Sequence, residues 1–172
     1  MEPTRVEIIS KLGKVEVELG NYDEALQLLK LAIINDPADI VARFYLGYVY
    51  KKFDKIDNAK NEFNKVIEKF KSLIMIKPNN PESYYFLGLA HKFVGNLEDA
   101  AVNLKRAIEL DSPEIDYHHT DGLTYHDFDA FVQYAAVLKE LGRIKEALEN
   151  INLALEVKPG DKTAENLKKE LI

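Results

Sequence analysis

The sequence predicts an all-α protein, a right-handed α-solenoid of helix-turn-helix repeats closed by a C-terminal capping helix. Three observations predict it. The stretch 81–113, PESYYFLGLAHKFVGNLEDAAVNLKRAIELDSP, carries apolar residues at helical spacing up to Gly95-Asn96, resumes the pattern at Ala100 and Leu104, and ends over Asp111 to Pro113. Its features recur three more times when the small residue of its first helix is used as a ruler: Gly13, Gly47, Gly88 and Ala135. Finally, 47% hydrophobic and 30% charged residues over 172 positions fit a soluble folded chain whose core is a layer between stacked hairpins.

The register is detailed. Seven residues after the ruler stand Gly20, Asp54, Gly95 and Gly142; twelve after it, Ala25, Ala59, Ala100 and Ala147; nineteen after it, Ala32, Val66, Ala107 and Ala154. Helices of a hairpin approach closely only where side chains are small, so large residues must interlock with these. They occur one before the ruler, at Leu12, Leu46, Leu87 and Tyr134, and sixteen after it, at Leu29, Phe63, Leu104 and Ile151. From Gly13 to Gly47 is 34 residues, and Leu46-Gly47-Tyr48, Ala59 and Phe63, then Tyr84, Leu87-Gly88, Ala100 and Leu104, with Pro37 and Pro159 closing copies one and four, carry a known pattern. On these residues the chain resembles the tetratricopeptide repeat family over nearly its whole length. The departures are a missing opening aromatic in copies one (Ile9) and two (Arg43), and a missing Tyr at Glu16, His91 and Leu138.

The elements follow in order within a single domain, 1–172. Copy one spans about 6–39: Thr4 with Glu7 caps a helix from Arg5 to Leu19, and Asn21 with Glu24 caps a second that ends near Asn35, before Pro37. Copy two spans about 40–80 and opens on an aromatic-rich helix from Asp39 to Phe53. Its second helix starts near Lys55 and lacks the closing Pro at position 71, where Lys71 stands; Pro78 comes seven residues late. Seven residues are close to two turns, so the helix lengthens by about 10 Å while its face turns by only about 20°. Copy three, about 81–114, is opened by Asn80 as cap and Pro81 in the first turn, and Asn96 with Asp99 starts its second helix. The ruler then jumps 47 residues, so an inserted loop occupies about 115–127, with Thr124 capping the next helix. Copy four spans about 128–160. A capping helix over about 161–172 begins at Asp161 and turns Ala164, Leu167 and Leu171 inward, with Lys162 and Lys169 toward solvent.

Function classes are narrowed by what the chain carries. A net charge of -6 argues against nucleic acid and against anionic membrane as partners. No apolar run approaches the roughly 20 residues of a membrane span, and no signal-peptide pattern opens the chain, so a cytoplasmic protein is expected. With no cysteine, no phosphate-cradling glycine loop and no nucleophile elbow, no enzyme and no cofactor are expected. His118, His119 and His126 lie with Asp116, Asp121 and Asp127 in the insertion, but their spacing matches no ligand pattern, so a connector without bound metal is expected and a metal site is the weaker alternative.

The resemblance implies a protein-protein interaction scaffold that holds a peptide or protein segment in a concave groove lined by first helices. Residues three before, one after and four after the ruler share one stripe: Phe44, Tyr48 and Lys51 in copy two; Tyr85, Leu89 and Lys92 in copy three; Val132, Ala136 and Lys139 in copy four, with Phe93 alongside. A lysine recurs at one phase in an acidic chain, beside aromatics, and this fits a segment with acidic and apolar side chains. Ser10, Lys14 and Val17 of copy one do not reproduce the pattern by which chaperone-binding members hold a C-terminal carboxylate, so that specificity is not expected. The alternative is a self-associating scaffold, a homo-oligomer built on the lengthened helix about 55–76.

Overall fold

In the computed structural model, described for residues 5–110 and 127–172, the repeats are realised as helix pairs without strands among the described residues. Thr4, Thr124 and the histidines 118, 119 and 126 lie outside the described residues. The chain divides into two compact units, 1–69 and 70–172. In the first are α1 (Arg5–Leu19), α2 (Tyr22–Asn35), α3 (Ile40–Lys52) and the larger part of α4 (Ile56–Ile76). In the second, after the end of α4, come α5 (Pro81–Val94), α6 (Leu97–Leu110), α7 (Asp127–Glu140), α8 (Ile144–Val157) and α9 (Lys162–Leu171). The lengthened helix is thus present, 21 residues long against 14 in α2, α6 and α8.

The ruler works because a large side chain of the facing helix lies against the glycine backbone there. A Cβ built on Gly13 would lie 2.8 Å from Leu29, on Gly47 3.0 Å from the Phe63 ring, and on Gly88 2.7 Å from Leu104. Each of these contacts is with the residue sixteen positions on, and Leu29, Phe63, Leu104 and Ile151 are all fully buried. In the first unit Leu29 joins Val17, Ala25, Ala32, Ala42, Leu46 and Val49 in one core cluster. Phe44 meets the Phe63 ring edge-on at 5.8 Å, and in the second unit Phe86 stacks on Phe70 at 5.9 Å.

Helix ends follow backbone chemistry more than side-chain caps. In all four copies the residue eight after the ruler donates its N–H to the carbonyl three after it: Asn21 to Glu16, Lys55 to Tyr50, Asn96 to His91 and Arg143 to Leu138, at 2.8–2.9 Å. This closure turns the chain through a left-handed residue, Gly20, Gly95 or Gly142; in copy two Asp54 takes the same conformation at φ 54°. The expected side-chain cap at Asn21 does not form. Coming straight after the left-handed Gly20, Asn21 sits at ψ 64° rather than in the extended region that aims a cap at the first turn, and its amide donates to Glu16 Oε2 at 2.8 Å instead. Where the chain enters a helix in an extended conformation the caps do form: Asp39 accepts from Ala42 N–H, Asn80 from Ser83 N–H at 2.7 Å, and Asp161 from Thr163 and Ala164.

Arg43, one of the departures from the aromatic pattern, has a purpose in the first unit. Its Nε and Nη2 donate to the Pro37 carbonyl at 3.0 and 2.6 Å, and its Nη1 to Glu62 Oε2 at 2.7 Å. The aromatic at the same repeat position in the second unit, Tyr84, donates its hydroxyl to the Pro78 carbonyl at 3.1 Å. Both reach back six residues to a proline carbonyl that lacks a helical partner.

Candidate functional site

The predicted stripe divides by burial. Phe44, Tyr85, Leu89 and Val132 are buried, so they set the floor on which other side chains rest. Tyr48, Lys92, Phe93, Ala136 and Lys139 are half-buried and Lys51 is exposed, so these present atoms to solvent.

In the first unit α3 brings Tyr48 and Lys51 to its last two turns. Lys52 belongs with them, although it lies off the stripe's helical phase: its ammonium lies 5.2 Å from the Tyr48 ring centre and 5.9 Å from that of Tyr22. The hydrogen bond with Tyr48, then the charge interactions with Tyr48 and Tyr22, push the Lys52 pKa up. The 48-to-52 spacing of four residues, one helical turn, was the sequence signal for this pair. Phe53 completes the cluster, edge-on to Tyr22 at 6.5 Å. On the α1 side, Lys14 stands 6.0 Å from the Tyr45 ring, and burial, reinforced by Glu18, pushes the Tyr45 pKa up to about 12. Ser10 and Val17 of α1, which share the stripe's phase, are buried.

In the second unit two of the stripe's lysines are engaged by neighbouring helices. Lys92 donates to Gln133 Oε1 of α7 at 3.0 Å, and Lys139 pairs with Glu170 of α9. His91 is buried, as its repeat position implies; its Nδ1 lies 3.7 Å from Asp99 Oδ2, and burial pushes its pKa down against the opposing pull of that carboxylate. Tyr134 donates to Glu146 Oε1 at 2.7 Å, and Arg143 grips Glu98 through both carboxylate oxygens at 2.8 and 3.0 Å, joining α8 to α6. Among the described residues no group of three or more His, Cys, Asp or Glu is placed to hold a metal ion, and no helix is long and apolar enough to cross a membrane. The chemistry on offer is aromatic faces bordered by cations.

Known proteins share this architecture. Family models described as Tetratricopeptide repeat match residues 41–72, 81–113 and 128–161. A TPR repeat-containing protein of Methanocaldococcus jannaschii is 26% identical over 104 residues, 59% of this chain and 31% of the relative. The heat shock protein STI1 of Saccharomyces cerevisiae is 30% identical over 101 residues, 58% of this chain and 16% of the relative. The chain therefore spans less than a third of the length of either. A thermophilic TPR protein of Thermus thermophilus superposes with a TM-score of 0.59 at 18% identity, over 96% of this chain and 98% of that one, and shows the fold alone. With three of its four copies matched by the same repeat description, and the interlock of a ruler glycine with a large residue made at Gly13, Gly47 and Gly88, this chain belongs to the tetratricopeptide repeat family.

Proposed function

We propose that the protein is an interaction scaffold that binds an extended peptide or protein segment along the faces of its first helices. The observation that carries this reading is the half-buried Tyr48 with Lys52 over its ring at 5.2 Å and Lys51 beside it. An aromatic held rigid by a core, with cations beside it, supplies apolar contact area at little entropic cost and favours an acidic residue next to the apolar one. On α5 in the second unit the half-buried Phe93 and Lys92 offer a further aromatic and a further cation. Exposed lysines contribute weakly and are screened by salt, so the aromatics provide most of the affinity.

An array of short peptides graded in acidic and apolar content tests this. Binding should require both kinds of side chain, and for the best peptide Tyr48→Ala and Phe93→Ala should each weaken it more than Lys92→Ala. The lysine effect should shrink in high salt. Absence of binding across the array, or binding indifferent to both aromatic substitutions, would overturn the reading. A second reading, self-association through the lengthened α4, is favoured by Met75 and Ile76, which are strongly exposed in its last turn; Met75→Glu should then dissociate the assembly.

A further inference from the structure

We propose that two copies of this chain pair antiparallel through the apolar stripe Ile8, Leu12, Val15 and Leu19 on α1. In the other three copies, the positions five before, one before and two after the ruler are all buried: Ala42, Leu46 and Val49; Ser83, Leu87 and Ala90; Ala130, Tyr134 and Val137. In copy two that stripe packs into the cluster built by Val17, Ala25, Leu29 and Ala32, so a hairpin is what covers it. The corresponding residues of α1, Ile8, Leu12 and Val15, are 52%, 46% and 43% exposed, and Leu19 extends the row at 66%. A surface that every other repeat buries is here larger and open. The contrast with the far end of the chain is direct, because there α9 lays Ala164 and Leu171 into buried positions.

The stripe can accept a second copy of itself, and the charges beside it select that occupant. The stripe is a palindrome, since 8 plus 19 and 12 plus 15 both make 27, so an antiparallel copy sets Ile8 against Leu19 and Leu12 against Val15 about one two-fold axis. The charges beside it agree with that direction. Lys11 and Glu18 are exposed on one flank of the stripe, and in the antiparallel pair Glu18 of the other copy comes level with position 9 (27 minus 18), about 3 Å along the axis from Lys11. The two-fold axis makes the contact twice. A parallel pair at equal height leaves the same charges seven residues, about 10 Å, apart. Glu18 already holds Lys14 at 3.8 Å, yet its side chain is 60% exposed and has room for a second cation.

Sedimentation of the full chain over a concentration series is the first test. The mass should move from 19.6 kDa toward twice that value as concentration rises. Leu12→Glu or Val15→Glu should hold it at the lower value with helicity unchanged, because both positions are already in contact with water; Met75→Glu should leave the dimer intact. Lys11→Glu and Glu18→Lys should each weaken the dimer, and the double exchange should restore it. The chain has no cysteine, so direction can be read by oxidation: Ile8→Cys mixed with Leu19→Cys should cross-link, and Ile8→Cys alone should not. A monomer at every concentration, a dimer that survives Leu12→Glu, or self-cross-linking of Ile8→Cys would each overturn the proposal. A dimer lost in Met75→Glu and kept in Leu12→Glu would place the contact on α4 instead.

Discussion

The turn before α3 and the turn before α5 solve one problem with different chemistry. Each must satisfy a proline carbonyl six residues upstream of a first-helix side chain. In the second unit Tyr84 does it with one neutral hydroxyl, at 3.1 Å. In the first unit Arg43 does it with two N–H groups and spends a third on Glu62, a carboxylate only 9% exposed that Lys65 also holds at 2.8 Å. The repeat motif therefore constrains the bond to be made more than the residue that makes it. The arginine solution adds a liability: once Glu62 is buried, its neutralising partners cannot be removed cheaply.

That difference sets the largest expected effect. Arg43→Ala removes the bonds to Pro37 and leaves the buried Glu62 with Lys65 and a long bond from Asn61 at 3.4 Å, and a loss of about 3 kcal/mol is expected from urea unfolding. Tyr84→Phe removes one bond at an exposed site and should cost about 1 kcal/mol or less. Adding Glu62→Gln to Arg43→Ala should recover part of the loss, since a neutral amide is cheaper to leave with fewer partners. Equal costs for Arg43→Ala and Tyr84→Phe would mean that the Glu62 pair contributes nothing.

The interlock separates the units next. A methyl at position 88 would meet Leu104 Cγ at 2.7 Å and its backbone nitrogen at 3.1 Å, whereas one at position 47 meets only the Phe63 ring at 3.0 Å. A ring can tilt and a helix backbone cannot, so Gly88→Ala should cost about 2 kcal/mol and Gly47→Ala about 1. The bulkier Gly47→Leu and Gly88→Leu should cost more at both sites. Thermal melts that rank the two Ala variants in the opposite order would show that the rings of Phe44 and Phe63 are the stiffer element.

Smaller effects come from the turn residue and the buried histidine. Asp54 adopts φ 54° where the other copies have glycine, so Asp54→Gly should stabilise the first unit by about 0.5–1 kcal/mol, measured by chemical denaturation. His91 has its pKa pushed down, chiefly by burial, below its ordinary value near 6.5. The unfolded chain then binds more protons than the folded one, so the stability contribution is complete above about 6.5 and is lost as pH falls through the folded pKa. A stability profile from pH 7.5 down to 5 should decline, and His91→Gln should flatten that part of the decline.

By itself the sequence determined the helices, their order and the pairs that interlock, because those depend on local periodicity and on volumes repeated at fixed offsets. Gly13 with Leu29, Gly47 with Phe63 and Gly88 with Leu104 could be read from spacing alone, as could the extra turns of α4. Tertiary structure decided what a spacing cannot encode. Whether a stripe residue is floor or surface depends on what packs over it: Phe44, Tyr85, Leu89 and Val132 share the helical phase of Tyr48 and Lys92, yet they are buried. Arg43 looked like a lost aromatic because its partners, the Pro37 carbonyl and Glu62, are brought to it by chain reversal. Asn21 looked like a cap because composition marks a helix start, while the left-handed Gly20 before it fixes a backbone angle that no side-chain preference can override. Periodic volume is written residue by residue; burial, charge pairing and backbone direction are properties of neighbours the chain acquires only on folding.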